Sequence, residues 1–182
     1  MTTLAEKILA LHRALDEADL PHAFGGALAL AWCTRRPRGT SDIDLNVFVP
    51  TSAVPQVLEA LPAEVTYTRQ DVRRLEREGQ ARLRWDRTPI DLFLNVSTFH
   101  DEAMTRVSLE PFNSETIPFL ACDDLAVFKA FLDRRRDWAD LEEMLLAGSL
   151  DVDGVAATLA KHLGADDERI GKLRGLEAEA ER

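Results

Sequence analysis

Two short apolar segments that begin with aspartate constrain the fold of this chain most. The segments "DIDLNVFV" (residues 42–49) and "IDLFLNV" (residues 90–96) alternate with the two-residue period of a β-strand. In the first segment, Asp42 and Asp44 share one face, while Ile43 and the apolar residues of its parity share the other. Both segments therefore predict core strands that carry carboxylates on one face.

The rest of the chain alternates between helical and extended patterns, which predicts an α/β (α+β) fold. We expect a mixed β-sheet flanked by helices in a core domain of residues 1–121, with residues 122–182 forming a C-terminal helical region packed on that core. Helices are predicted at residues 3–18, 27–33, 51–61 and 101–106. Further strands are predicted at residues 22–24, 64–68 and 81–85, with one or two more before Leu120. Residues 69–79 are predicted to form a polar segment or a short helix.

The charge of the chain limits its partners. The formal net charge is −10 over 182 residues, which argues against nucleic-acid binding by the whole surface. The charge leaves room for a local basic patch and suits a cationic small substrate. Seven arginines between residues 69 and 87 form either such a patch, for tRNA phosphates, or a solvated face.

The cysteines and the apolar runs bear on location. Cys33 and Cys122 lie far apart in apolar surroundings, and their spacing predicts neither a zinc site nor a disulfide framework. No apolar run approaches the length of a membrane span, so we expect no membrane partner. Together these features predict a cytoplasmic protein.

Three carboxylates form the candidate metal site. If the two core strands are neighbours, Asp91 joins Asp42 and Asp44 at one spot. Carboxylate oxygens suit Mg²⁺, with Mn²⁺ as an alternative, and such a cluster can hold two metal ions. The competing explanation is a solvent-exposed strand edge. Similarly, Gly25-Gly26 either offers backbone N–H groups to phosphate at a helix start or forms a tight turn that needs positive φ.

Taken together, the segments "FGG", "SDIDL" and "IDL" resemble the DNA polymerase β-like nucleotidyltransferase superfamily. The loop "RRPRGTSDIDL" and the later block "DDLAVFKAFLDRRRDWADLEEML" resemble its AbiEii-type branch, the toxins of type IV toxin–antitoxin systems. The resemblance implies catalytic roles for Asp42, Asp44, Asp91 and Lys129, metal binding by the three aspartates, and nucleotide binding by Gly25, Gly26, Arg38, Thr40, Ser41, Lys129 and Asp140.

Some of these residues also have purely structural explanations. Lys129 can extend from an apolar helix face to water, and Asp137 can be the N-cap of the next helix. Asp140 can orient Lys129 or an arginine. The four histidines have no partner at catalytic spacing and are expected to be structural or exposed.

The resemblance implies metal-dependent transfer of an NMP from an NTP to an acceptor hydroxyl. The implied acceptor is a tRNA 3′ end, with a cognate antitoxin as partner. One alternative is an antibiotic nucleotidyltransferase of the aminoglycoside type, whose cationic substrate suits the acidic chain. A second alternative, from another class, is a nucleotide-binding or antitoxin-like protein with little turnover.

Overall fold

A seven-stranded mixed β-sheet lies in the first part of the chain in the computed structural model, which describes residues 2–180. Its strands are β1 (His22–Phe24), β2 (Ile43–Pro50), β3 (Val65–Thr66), β4 (Gln80–Trp85), β5 (Thr88–Asn95), β6 (Ser108–Phe112) and β7 (Glu115–Phe119). Their order across the sheet is β3-β4-β5-β2-β1-β7-β6. The predicted fold class is confirmed.

Helices account for most of the remaining described residues. They are α1 (Leu4–Glu17), α2 (Gly26–Thr34), α3 (Val54–Ala60), α4 (Arg69–Glu78), α5 (Thr98–Met104), α6 (Cys122–Leu132), α7 (Arg135–Leu146), α8 (Val152–Leu163) and α9 (Glu168–Ala180). The polar segment at 69–79 is helical because Thr68 and Asp71 form a capping box and Gly79 ends the helix at φ 67°.

The chain divides into two compact units. The first contains the described residues up to Leu28 together with Gly39–Leu120, and it holds the whole sheet. The second contains Ala29–Arg38 and the described residues from Ala121 onward, with helices α6 to α9.

Strand β2 occupies the middle of the sheet. It pairs in parallel with β5 and antiparallel with β1, and Leu45 lies opposite Leu92 in the β2–β5 register. Both leucines are fully buried, as are Ile43 and Ile90. The two-residue alternation of both segments therefore places one parity in the core and Asp44 and Asp91 on the other, which also carries the apolar Phe48 and Phe93.

Three predicted boundaries differ from the structure. Residues Thr51–Ala53 form a 3-10 turn, and α3 begins at Val54, where Pro55 stands in the first helical turn and fixes the start. The strand predicted at 64–68 is reduced to Val65–Thr66, and the helix predicted at 101–106 is Thr98–Met104.

The spacing of the two cysteines predicted no disulfide framework, and they are nevertheless bonded to each other. Cys33, near the end of α2, and Cys122, the first residue of α6, form a disulfide with their Cα atoms 5.6 Å apart. They are 89 residues apart in sequence, so only the tertiary fold of the second unit brings them together. A cytoplasmic location loses the support of reduced cysteines and stays a prediction. Among residues 2–180, no helix has the length and hydropathy of a membrane span.

Removing the disulfide is expected to destabilise the protein strongly. In the chain-entropy model, a cross-link that closes a loop of this length lowers the entropy of the unfolded chain enough to contribute about 4.6 kcal/mol. The double variant Cys33→Ser/Cys122→Ser should therefore unfold at a lower urea concentration than the wild type, and a reducing agent should shift the wild type towards the variant. Equal urea midpoints for the oxidised and reduced wild type would contradict this expectation.

Candidate active site

Two carboxylates stand side by side on the two central parallel strands. Asp44 on β2 is the register partner of Asp91 on β5. Asp42 lies directly before β2 begins at Ile43, and its Oδ1 accepts a 2.5 Å hydrogen bond from the Thr40 hydroxyl. The pairing of these two strands, which the sequence left open, is present, and Asp44 and Asp91 occupy matching positions on them.

The glycine turn packs directly against one of these carboxylates. The Gly25 N–H donates to the backbone carbonyl of Asp44 at 2.9 Å. Gly26 adopts φ +52°, and a Cβ at that position would lie 1.8 Å from Asp44 Oδ2. Glycine is therefore required at residue 26 both by the backbone conformation and by the closeness of the carboxylate. Because the Gly25 N–H is already used within the turn, Gly26 and the start of α2 offer the N–H groups that can meet an anion.

Asp91 has an arginine partner that the sequence analysis missed. Arg82 on β4 is its cross-strand neighbour, and the Arg82 Nε and Nη2 donate to Asp91 Oδ1 and Oδ2, both at 2.6 Å. The hydrogen bond with Asp91, together with the negative charges of Asp91, Asp42 and Asp44, raises the pKa of Arg82. The two-residue period of "ARLRW" places Arg82 on an exposed face, but only the β4–β5 register identifies its partner.

The donor chemistry of the three aspartates fits a hard divalent cation such as Mg²⁺ or Mn²⁺. Asp44 reaches the space beside Gly26 that a side chain would fill, whereas both Asp91 oxygens accept hydrogen bonds from Arg82. In the part of the chain that the structure describes, no three His, Cys, Asp or Glu side chains are grouped closely enough to hold a metal ion. The oxygens of Asp42 and Asp44 are the ligand type that such an ion prefers, while those of Asp91 are engaged by Arg82.

A second charged cluster lies within the helical unit. Lys129 is 7% exposed, and its Nζ donates to Asp140 Oδ2 at 2.6 Å and lies 3.8 Å from Asp137 Oδ1. The other Asp140 oxygen accepts from Arg38, and the hydrogen bond and charge of Asp140 raise the pKa of Arg38. Asp140 thus orients both a lysine and an arginine, so these predicted nucleotide-binding residues form one hydrogen-bonded network.

The interpretation of Asp137 as an N-cap was wrong. Helix α7 begins at Arg135, its N-cap is Arg134, and Asp137 lies inside the first turn. Its side chain is 1% exposed and accepts from the Arg134 Nε at 2.6 Å. The helix begins earlier than the pattern predicts, because the arginines that precede Asp137 are part of it.

Comparison with known proteins identifies the fold. No protein-family model and no curated protein matches the sequence. The antibiotic-resistance factor ANT(2'')-Ia superposes with a TM-score of 0.55 at 17% identity over 98% of this chain and 91% of its own. The same protein in complex with adenylyl-2''-tobramycin gives 0.55 at 16% identity over 99% and 98%. An antigenic nucleotidyltransferase-like protein from Paracoccidioides brasiliensis gives 0.52 at 14% identity over 92% and 91%.

The chain has a nucleotidyltransferase fold. At these identities the similarity establishes the architecture alone, so the roles of individual side chains have to be argued from this chain. The predicted nucleotidyltransferase architecture is confirmed, while the AbiEii-type branch stays a prediction.

The remaining predicted residues have varied surroundings within this nucleotidyltransferase fold. Ser41 is exposed in the loop before β2. In the arginine-rich stretch at 69–87, Arg77 donates to Glu78 and Arg82 donates to Asp91. Acidic neighbours therefore already engage two of these arginines, which favours the interpretation of a solvated face at those two positions.

A histidine pair and a cavity were not expected from the sequence. His12 Nδ1 and His22 Nε2 are 2.9 Å apart, and burial lowers the pKa of His22. The two histidines help to line a cavity of about 380 Å³ that also contacts Phe48. Phe48 lies near the end of β2, whereas Asp44 lies near its beginning, so this cavity is separate from the carboxylates.

Adding a methyl group at Gly26 tests the contact with Asp44. Gly26→Ala should lower the free energy of unfolding by about 2 kcal/mol, because the left-handed backbone and the overlap with the carboxylate both oppose a Cβ. The loss should be smaller in an Asp44→Ala background, since that change removes the two closest atoms. Urea unfolding of the four proteins measures the coupling.

Gly39→Ala is the matched control, because a Cβ at residue 39 would meet nothing within 4 Å. It should leave the free energy of unfolding within about 0.5 kcal/mol of the wild type. Equal losses for Gly26→Ala and Gly39→Ala would show that the carboxylate does not crowd the glycine turn.

The network in the helical unit predicts unequal effects of its two ends. Asp140→Ala leaves buried Lys129 without its nearest carboxylate and should cost about 3 kcal/mol of unfolding free energy. Lys129→Met should cost less, about 1 kcal/mol, because Asp140 keeps Arg38 and an apolar side chain suits the buried position. Glu142→Ala, at an exposed position of the same helix, is the control and should change the free energy of unfolding by less than about 0.5 kcal/mol. Urea unfolding that ranks Lys129→Met below Asp140→Ala in stability would contradict the assignment.

Proposed function

We propose that this protein is a metal-dependent nucleotidyltransferase that moves an NMP from an NTP to an acceptor hydroxyl. The observation that carries the proposal is the register pairing of Asp44 with Asp91, together with the glycine turn packed on Asp44. Carboxylates on adjacent strands beside a helix start can serve both a cation and a phosphate chain. The nucleotidyltransferase fold supports this interpretation.

The three aspartates have distinct roles in the proposed reaction. Asp42 and Asp44 hold the divalent cation, Mg²⁺ or Mn²⁺ in a one- or two-metal site, and Thr40 fixes the orientation of Asp42 through its hydroxyl. When bound, the metal neutralises charge on the reacting phosphate and the leaving pyrophosphate. Asp91 completes the carboxylate set and accepts the proton of the acceptor hydroxyl at Oδ1 or Oδ2.

The nucleotide is bound by groups that follow the glycine turn. The Gly26 N–H and the first turn of α2 meet phosphate oxygens, while Gly25 holds the turn against β2 through its own N–H. The motif resemblance adds Lys129, with Arg38, Ser41 and Asp140, as nucleotide-binding residues. In this proposal Lys129 supplies positive charge and Asp140 orients it.

The acceptor that the motif resemblance implies is the 3′ end of a tRNA. Transfer to that hydroxyl blocks aminoacylation, which would make the protein a toxin with a cognate antitoxin. Arg69, Arg73 and Arg74 of α4 provide phosphate contacts in this version of the proposal, since such contacts dominate affinity for nucleic acids. Growth arrest on expression, abolished by Asp44→Asn, is the cellular result that this version requires.

A second acceptor class is favoured by two observations. The net charge of −10 attracts cations, and the structural neighbour ANT(2'')-Ia has been solved with adenylyl-2''-tobramycin. A polycationic amino sugar with free hydroxyls therefore suits this chain as an acceptor. Drug resistance on expression, again dependent on Asp44, is the cellular result expected for this class.

Direct transfer of label separates the two acceptors. The purified chain is incubated with each α-labelled NTP and Mg²⁺, with total tRNA in one reaction and a panel of aminoglycosides in another. We expect labelled product with one acceptor class and a loss of at least about 100-fold in Asp44→Asn, because a principal metal ligand is removed.

Asp19→Asn is the matched control for that loss. Asp19 is exposed at φ 52°, a conformation that asparagine adopts readily, so this variant should transfer label at the wild-type rate. Absence of product with any NTP on tRNA or aminoglycoside, combined with nucleotide binding, would replace the enzyme proposal with the nucleotide-binding or antitoxin-like alternative.

A further inference from the structure

The Asp91 carboxylate is already occupied by a cation that belongs to the protein. Arg82 donates two parallel hydrogen bonds of 2.6 Å to this carboxylate. This is the bidentate geometry that arginine prefers with carboxylates. The two residues are direct cross-strand partners, so the sheet itself sets their distance. This contact is built into the fold at a predicted metal ligand.

The pair is placed so that it can open. The Arg82 side chain is 54% exposed, while that of Asp91 is 20% exposed, so the guanidinium lies on the solvent side of the carboxylate. Its departure opens no cavity in the core. Exposed ion pairs contribute little net stability because water competes for both partners, which makes this one exchangeable.

We propose that Arg82 is a positioning residue for the carboxylate site. It holds Asp91 beside Asp44 when no divalent cation is bound, and it releases Asp91 when a cation binds. This inference rests on the metal site of the proposed function and adds a residue that neither the motif resemblance nor the fold comparison assigns.

The physical reason is the repulsion among three neighbouring acids. Asp44 and Asp91 are register partners, so their like charges repel each other across the two strands. A guanidinium supplies positive charge without the strict geometry of a metal ion. A divalent cation carries more charge than a guanidinium and would be held by the carboxylate oxygens of Asp44 and Asp91, so it would replace Arg82 when it is available.

The same displacement leaves a free arginine fork at the edge of the site. Arg82 is anchored on β4 and therefore remains near the carboxylates after it releases Asp91. A planar guanidinium suits phosphate oxygens as well as it suits a carboxylate. Once it has released Asp91, Arg82 would be available to bind a phosphate group of the nucleotide.

Arg84 provides a matched control for any change at Arg82. It lies two residues along β4, on the same exposed face, and its cross-strand partner is Pro89 and not an acid. Replacing either arginine with methionine removes one positive charge and keeps a long side chain. Only Arg82→Met removes the competitor for Asp91.

Titration of the full chain with Mn²⁺, followed by electron paramagnetic resonance in the absence of nucleotide, tests the proposal. Arg82→Met should bind Mn²⁺ about fivefold more tightly than the wild type, the gain expected when one competing surface ion pair is lost. Arg84→Met should change the affinity by less than about twofold, since it removes charge but no competitor. Arg82→Lys, which cannot form the fork, should lie between Arg82→Met and the wild type.

Thermal unfolding provides the second measurement. Without metal, Arg82→Met should melt below the wild type, because the carboxylates lose their counter-ion. Saturating Mn²⁺ should raise the melting temperature of Arg82→Met by more than it raises that of the wild type. A merely structural role for Arg82 predicts the lower melting temperature but not the tighter binding of Mn²⁺.

The outcomes separate this inference from the proposed function. If the wild type binds Mn²⁺ and Arg82→Met binds it no more tightly, the role of Arg82 is wrong and the metal site stands. If neither protein binds Mn²⁺, the metal site of the proposed function fails and the inference fails with it. Equal tightening in Arg82→Met and Arg84→Met would reduce the effect to net charge and would also overturn the inference.

Discussion

The parallel pairing of β2 with β5 is the constraint on which the rest of the first unit depends. The pairing places Leu45 against Leu92 on the buried parity and Asp44 against Asp91 on the other. Because a shift of one residue would exchange the two faces, the apolar core fixes the register. The position of the carboxylates is therefore a consequence of packing. The buried leucines determine the register of the two strands, and this register places Asp44 beside Asp91.

Each of the three acids has a different local contact. The Thr40 hydroxyl donates to Asp42, the Arg82 guanidinium donates to Asp91, and the glycine turn leaves room for the Asp44 carboxylate. Each device fixes one acid without burying it in an apolar environment. These local contacts hold three like charges close together. They favour a role in cation binding over that of an incidental strand edge.

The sequence predicted the parts of this site that depend on local periodicity. The two-residue alternation identified both core strands and the parity of Asp44 and Asp91, and the Gly-Gly pair marked the turn. Local periodicity could not predict pairs of residues that depend on strand register or on long-range folding. The Arg82–Asp91 pair depends on how β4 aligns with β5, and the Cys33–Cys122 bond joins positions 89 residues apart. Likewise, the Gly-Gly pair predicts that the Gly25 N–H is available to phosphate, but that N–H donates to the Asp44 carbonyl.

The Lys129–Asp140 ion pair in the second unit is buried, whereas the Arg82 side chain of the Arg82–Asp91 pair is largely exposed. Lys129 and Asp140 are both largely buried, and desolvation of such a pair offsets much of its mutual attraction. A methionine–leucine pair at these positions would suit the apolar surroundings at least as well. Asp140 also accepts from Arg38, which comes from the loop that precedes β2. The ion pair therefore contributes less to stability than to fixing where two cationic side chains, Lys129 and Arg38, lie.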